Sequence, residues 1–443
     1  MIQTIQLTPG VVLRHYPDQR FKTAVISVQL LRPMCREEAA LNALLSAVLL
    51  RGSQHHPDMR SITARQDELY GASLPPLLRR IGDLQTVGLF CGFLEDRFAL
   101  PGDEIMAPAI DLVRELLLEP KLVEGLFDPE FVESEKRNLI ADIESELNDK
   151  RAYAANRMFR SMCAGDSFAV PIRGTVEDAR AITPRSLFDH YQKVLRTSPV
   201  EICYVGSAAM EDVARQLMPL AAQMAAEPME LPKQTRLNLT APEREFSETM
   251  DVNQGKLSMG FITCVDYWHP DYIAMQVCNA VYGAGMTSKL FVNVREKLSL
   301  CYYAGSGYYG SKGIVTVSSG IDECNYETAK AEILRQLQLT AEGQITEAEL
   351  AAAKKAIISG LRSVPDSPRA LEGFYGTLYI SGRSDDLSER IAAVEAVTID
   401  DAARRAATFK LHTVLVLKGE GKCSRHTTPD WMKRSAARPC PTV

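Results

Sequence analysis

The sequence predicts an α+β protein built from two homologous halves, each an antiparallel-rich sheet with helices packed on one face. Three observations lead there. An order of strand, helix, helix and strand occurs twice, a proline-rich polar stretch separates the two occurrences, and 443 residues are too many for one ordinary core.

In the first half, Thr23 to Leu31 is apolar and β-branched, which marks a strand. A turn at Pro33 leads to a helix from about Glu37 to Leu50. A second helix covers roughly Met59 to Leu69, and after Tyr70-Gly71-Ala72 a return strand runs from Gln85 to Leu94. The second half repeats the order. Lys256 to Thr263 reads as a strand, Pro270-Asp271 opens a helix to about Val281, and Ser288 to Lys297 is the next helix. Leu300-Cys301-Tyr302 follows, and Gly313 to Ser319 forms the return strand.

Between the halves, Ala225 to Pro242 carries Pro228, Pro232 and Pro242 among polar residues and reads as a linker. It divides the chain into an N-terminal domain, 1–224, and a C-terminal domain, 243–420. Pro129 to Leu147 and Thr346 to Leu361 are long helical patterns at comparable places in the two halves. Most of their charges suit a solvated face. Residues 421–443 are polar and aperiodic, and the sequence predicts a disordered tail there.

Composition excludes several classes. With 46% hydrophobic and 24% charged residues the chain is globular in type. Its net charge is −6 with both signs interspersed, so no basic stripe offers itself to nucleic acid. Apolar runs such as Ala39 to Leu50 fall short of the ~20 residues of a membrane span. The first residues lack the basic and apolar regions of an export signal. The ten cysteines are scattered without a Cys-x-x-Cys pair, as expected of reduced, mostly buried thiols in a cytoplasmic protein.

The most specific stretch is Gly283-Ala-Gly-Met-Thr-Ser-Lys-Leu-Phe-Val-Asn-Val-Arg295-Glu-Lys-Leu-Ser-Leu-Cys-Tyr302. It lacks the Gly-Lys-Ser/Thr ending of a P-loop and the third glycine of a dinucleotide fingerprint. It closely resembles the second-domain signature of the pitrilysin/insulinase metallopeptidases, especially their mitochondrial-processing-peptidase-like bacterial branch. The resemblance implies a clam-shell half-chamber in which Arg295 and Tyr302 contact the substrate backbone and the reacting carbonyl. Tyr302, Tyr303, Tyr308 and Tyr309, with Gly305, Gly307 and Gly310, read as a strand pair and tight turn, with the rings on a satisfied sheet face.

Active members of that family carry His-x-x-Glu-His on the first long helix. That spacing sets two imidazoles one turn apart with a general base beside them. Here the run into Arg51-Gly52-Ser53 resembles the residues that follow the motif, and it places Ala43, Ser46 and Ala47 at the His, Glu and His positions. Two methyl groups and a hydroxymethyl have no imidazole or carboxylate to offer zinc. The third ligand of relatives, a carboxylate on a later helix, falls at Asp142, read here as a solvated charge. His55-His56 precedes Pro57, and adjacent side chains point apart, so the pair reads as no metal site. No Gly-x-Ser-x-Gly elbow or cysteine signature supplies another nucleophile.

The expectation is therefore a chain without cofactor and without hydrolysis of its own. It would complete the site of a zinc-bearing homologous partner, or pair with itself, and accept unfolded peptide. The alternative is a non-enzymatic peptide-binding or assembly scaffold, comparable to core proteins of a respiratory complex.

Overall fold

The computed structural model describes residues 2–237, 243–252 and 254–419. The expected tail, 421–443, lies outside them.

The first half comprises β1 (Gln3–Thr8), β2 (Val11–Pro17), β3 (Thr23–Pro33), α1 (Arg36–Val48), α2 (Met59–Glu68), β4 (Pro76–Ile81) and β5 (Leu84–Leu94). Then come α3 (Met106–Leu118), a small hairpin of β6 (Leu122–Val123) and β7 (Leu126–Phe127), α4 (Pro129–Ser145) and α5 (Lys150–Met162). The half closes with α6 (Val176–Arg180), α7 (Pro184–Thr197), β8 (Val200–Gly206) and α8 (Met210–Ala221).

The second half has β9 (Arg244–Thr249), β10 (Gly255–Ile262), α9 (Tyr272–Tyr282), a π-helix at Leu290–Lys297, β11 (Cys301–Tyr309) and β12 (Ile314–Ile321). It ends with α10 (Tyr326–Ala341), α11 (Glu347–Ser363), α12 (Pro368–Ile380), α13 (Leu387–Ala396), α14 (Ile399–Ala406) and β13 (Lys410–Lys418). Side-chain caps fix the long helices. Asp128 precedes Pro129 at α4, and Thr346 forms a capping box with Glu349 at α11.

The repeat is visible in the strand order. The first sheet runs β1-β2-β8-β3-β5-β4 and the second β9-β13-β10-β12-β11. Leaving out β1, the two orders coincide. So do the senses: β2–β8 and β9–β13 are parallel, and every other pair is antiparallel.

Each sheet carries helices of its own half on one face, and the core lies between them. The opposite face is covered by a helix from the other half. Met158 and Met162 of α5 pack with Ile262, Ile314, Leu415 and Leu417 of the second sheet. Leu371, Tyr375 and Leu378 of α12 pack with Val25, Phe90, Cys203 and Val205 of the first. Since α5 and α12 hold equivalent places in the repeat, the halves exchange equivalent helices. At about 1.5–3 kcal/mol for each fully buried aliphatic side chain, these contacts bind the halves strongly.

Two expectations need adjustment. The helix at Ser288 to Lys297 is π-helical from Leu290, and the N–H of Leu298 reaches back to the carbonyl of Asn293 (3.3 Å). The described part of the stretch Ala225 to Pro242 is a strap held at both ends. Ala225 N–H donates to Leu195 O (2.8 Å), Thr235 N–H to Asp83 Oδ2 (3.0 Å) and Leu237 N–H to Lys312 O (3.1 Å). Residues 238–242 lie outside the description. Among the described residues no helix is long and apolar enough to cross a membrane.

Candidate functional site

The helix that resembles the metal helix of active relatives is α1. Ala43 and Ser46 are buried and Ala47 is half-buried. The Ser46 hydroxyl is committed within the helix, donating to Ala43 O at 3.0 Å. Beside them Asn42 donates to Gln85 Oε1 (2.8 Å) and its own oxygen meets His190 Nε2 (2.8 Å). Burial brings the His190 pKa down to about 4, so the imidazole is neutral there.

The later helix that carries Asp142, α4, packs beside α1, and Arg51 just beyond α1 pairs with Glu135 of α4 at 2.7 Å. Asp142 itself is two-thirds exposed (66%) and its nearest cation is Arg173 at 4.0 Å. The expected solvated charge is what the structure has.

These residues do not fit zinc. Two positions offer only carbon, the third offers a hydroxyl already engaged, and the carboxylate is open to solvent. Among the described residues no group of three or more His, Cys, Asp and Glu side chains could hold a metal ion. His56 is taken up elsewhere: its Nδ1 lies 3.0 Å from the Glu115 carboxylate, which also accepts from Ser53 Oγ and from His55 N–H (3.2 Å). Burial would raise the Glu115 pKa, but the hydrogen bonds from Ser53 and His56 outweigh it and hold the carboxyl below its usual range. Burial also pushes the Cys91, Cys163 and Cys278 thiols up to about 12, which leaves them poor nucleophiles.

The second half presents a different surface. Arg295 rides on the π-helix with its side chain 38% exposed, its guanidinium 4.5 Å from the Phe291 ring centroid and 3.2 Å from Glu296. The turn after it is fixed by Ser299 N–H donating to Arg295 O (3.1 Å), with Ser299 at φ 49°.

Tyr302 follows on β11, the edge strand. The register there passes from Cys301↔Ile321 to Tyr303↔Gly320, so Tyr302 is the extra residue of a β-bulge. Bulges re-aim side chains, and Tyr302 is 59% exposed. Its hydroxyl has no hydrogen-bond partner among the described residues. The Cys301 thiol between them, raised by burial, feels the opposing charge of Arg295. Arg295 and Tyr302 thus stand on consecutive elements at one end of the sheet, while Ala43, Ser46, Ala47 and Asp142 belong to the other half.

The expected satisfied face for the tyrosines holds for Tyr308, whose hydroxyl donates to Val265 O (2.8 Å), but not for Tyr302. Beside the π-helix lies a trough of about 530 Å³ that sequence reading missed, bordered by Phe291, Met286, Gly305, Gly307 and Arg151. Arg151 reaches it from α5 and stacks 4.1 Å from the Tyr303 ring centroid. Gly285, Gly305 and Gly307 were the available signal, because missing side chains leave the trough open, whereas a Cβ at Gly283 would run into Ser306 and Leu290.

Residues 181–357, a span that includes Arg295 and Tyr302, match the family model described as the peptidase M16 inactive domain. The chain is 29% identical over 410 residues to the probable inactive metalloprotease YmfF of Bacillus subtilis (strain 168), covering 93% of this chain and 96% of that one. It is similar to the crystal structure of a conserved protein from Enterococcus faecalis V583 (TM-score 0.87, 29% identity, 95% and 99% of the two chains). It also shares the fold of a peptidase M16 inactive domain from Pseudomonas fluorescens (TM-score 0.80, 17% identity, 96% and 99%). The fold is shared with these structures, and among the described residues the positions that resemble the metal motif offer no set of metal ligands. Over residues 181–357 the chain is thus similar to the peptidase M16 inactive domain, and over most of its length to a probable inactive metalloprotease.

Proposed function

We propose that this chain is the metal-free companion of a zinc-bearing homologous subunit, to whose active site it contributes Arg295 and Tyr302 and half of a substrate chamber. The observation that carries this reading is a contrast. The helix that would bind metal is filled by methyl groups and a spent hydroxyl, whereas Arg295 and Tyr302 face outward and Tyr302 has an uncommitted hydroxyl. A guanidinium presents forked donors to peptide carbonyls, and a phenol donates to a developing oxyanion. An unfolded peptide would supply its main chain for recognition at a sheet edge, with little demand on sequence. The free, buried thiols suit a reducing compartment, the cytoplasm.

The test uses the purified chain alone and with a homologue bearing His-x-x-Glu-His encoded next to it, assayed on an unstructured peptide. The chain alone should not hydrolyse it, and the pair should do so with zinc. Arg295→Ala should lower partner-dependent turnover. Zinc-dependent cleavage by the single chain refutes the reading. Unchanged turnover with weakened assembly would favour the scaffold role instead.

A further inference from the structure

The internal repeat exposes one asymmetry. In the first sheet the parallel pair β2–β8 is extended by β1, which lies antiparallel on the outer edge of β2 from Gln3↔His15 to Thr8↔Val11. In the second sheet the equivalent strand, β9, pairs with β13 on one side and, among the described residues, has no strand on the other. An exposed, regular edge strand is a template for another strand.

The sequence of the edge says what fits it. β9 reads Arg244-Glu245-Phe246-Ser247-Glu248-Thr249. Placed antiparallel against a second copy and centred on Phe246, Arg244 of each copy opposes Glu248 of the other. Phe246 opposes Phe246, and Glu245 opposes Ser247. Sliding the copies by one residue in pairing sets Glu245 against Glu248 or Glu243 against Glu248, like charges directly opposite, which destabilises. Arg244 is exposed and has no ion-pair partner among the described residues. Phe246 and Glu248 are already oriented toward α5, Phe246 in its apolar cluster and Glu248 by Arg157 (2.7 Å) and Tyr153 (3.0 Å). Glu245 is held on the opposite face by Lys330.

We infer that β9 is a self-complementary docking edge at which a second copy of this chain adds antiparallel, joining the two second-half sheets about a twofold axis through Phe246. An isologous contact of this kind closes at two copies. It occupies the edge opposite β11, so the surface bearing Arg295 and Tyr302 remains open. The inference does not depend on the function proposed for that surface. A strand-edge contact is a small interface, and its dissociation constant should lie on the order of micromolar.

Sedimentation equilibrium of the full chain over roughly 1–100 µM should show a reversible monomer–dimer equilibrium that weakens with salt. Arg244→Glu and Glu248→Arg should each weaken it at least about tenfold, while an equimolar mixture of the two variants restores a dimer, since each mixed pair sets opposite charges face to face. Matching circular dichroism and melting temperatures establish that both variants fold. Should Glu248→Arg melt early through loss of its α5 contacts, Arg244→Glu decides alone. A full chain that stays monomeric, an Arg244→Glu chain that dimerises as well as the parent, or a mixture of folded variants that does not associate would each overturn the inference.

Discussion

The carboxylate of Asp83 and the ammonium of Lys312 meet at the tips of equivalent hairpins, one from each half. Asp83 lies in the turn between β4 and β5, and Lys312 in the turn between β11 and β12. Lys312 is fully buried and pairs also with Asp166 at 3.0 Å. Removing one member of a buried ion pair strands the other charge in a poor solvent. Lys312→Met should therefore destabilise the chain by about 3–5 kcal/mol, measured by urea unfolding. Adding Asp83→Asn should recover part of that loss.

Restoring the metal residues should not restore a metalloenzyme. Ala43 and Ser46 are packed, and Asp142 is open to solvent near Arg173. In Ala43→His, Ser46→Glu, Ala47→His, the added bulk should cost about 1–3 kcal/mol per buried site. Melting should fall, and metal analysis after dialysis should find well below one zinc per chain.

Tyr302→Phe tests the phenol without disturbing the fold. Because the side chain is mainly exposed at a bulge, stability should change by less than about 0.5 kcal/mol. Turnover by the proposed two-chain enzyme should fall by about 10²-fold if the hydroxyl serves an oxyanion. Peptide hydrolysis rates at saturating partner, set beside the melting temperature, separate the two effects.

His190 sets a pH dependence. Its folded pKa, about 4, lies below the 6.5 of an unfolded histidine, because burial disfavours the cation. Between these values the unfolded chain binds a proton that the native chain refuses. Stability is thus full above pH 6.5 and falls as pH drops toward 4, by up to about 3 kcal/mol. Glu38, Arg32 and Lys193 surround this histidine, and Glu38 is itself held down to about 2, chiefly by hydrogen bonds from Arg32 and Lys193 working against burial. It adds a further loss only as pH falls below 4.5. His190→Gln should flatten the pH 4–6.5 limb in urea unfolding.

The repeat was legible because its inner strands, β3, β5, β10 and β12, are apolar and β-branched and are followed by helices of ordinary length. Edge strands were not legible: β1 and β9 carry polar residues, and their burial depends on partners distant in sequence. Nor could any local pattern show α5 leaving its own half, since Met158 and Met162 look like any amphipathic stripe. The blank metal helix could be read directly, as composition at fixed spacing. The outward turn of Tyr302 could not, because a bulge arises from the mismatch of two strands and neither sequence alone contains it. The π-helical winding at Leu290–Lys297 likewise left no mark in residue spacing.

The exchange of α5 and α12 means that neither half is a separable folding unit. A fragment ending in the strap would leave the first sheet without Leu371 and Tyr375 above it, and would carry Met158 and Met162 with nothing beneath them. Gene truncation at that point should give sticky, insoluble material. Two fragments produced together should reassemble, and the intact chain should melt in one cooperative step.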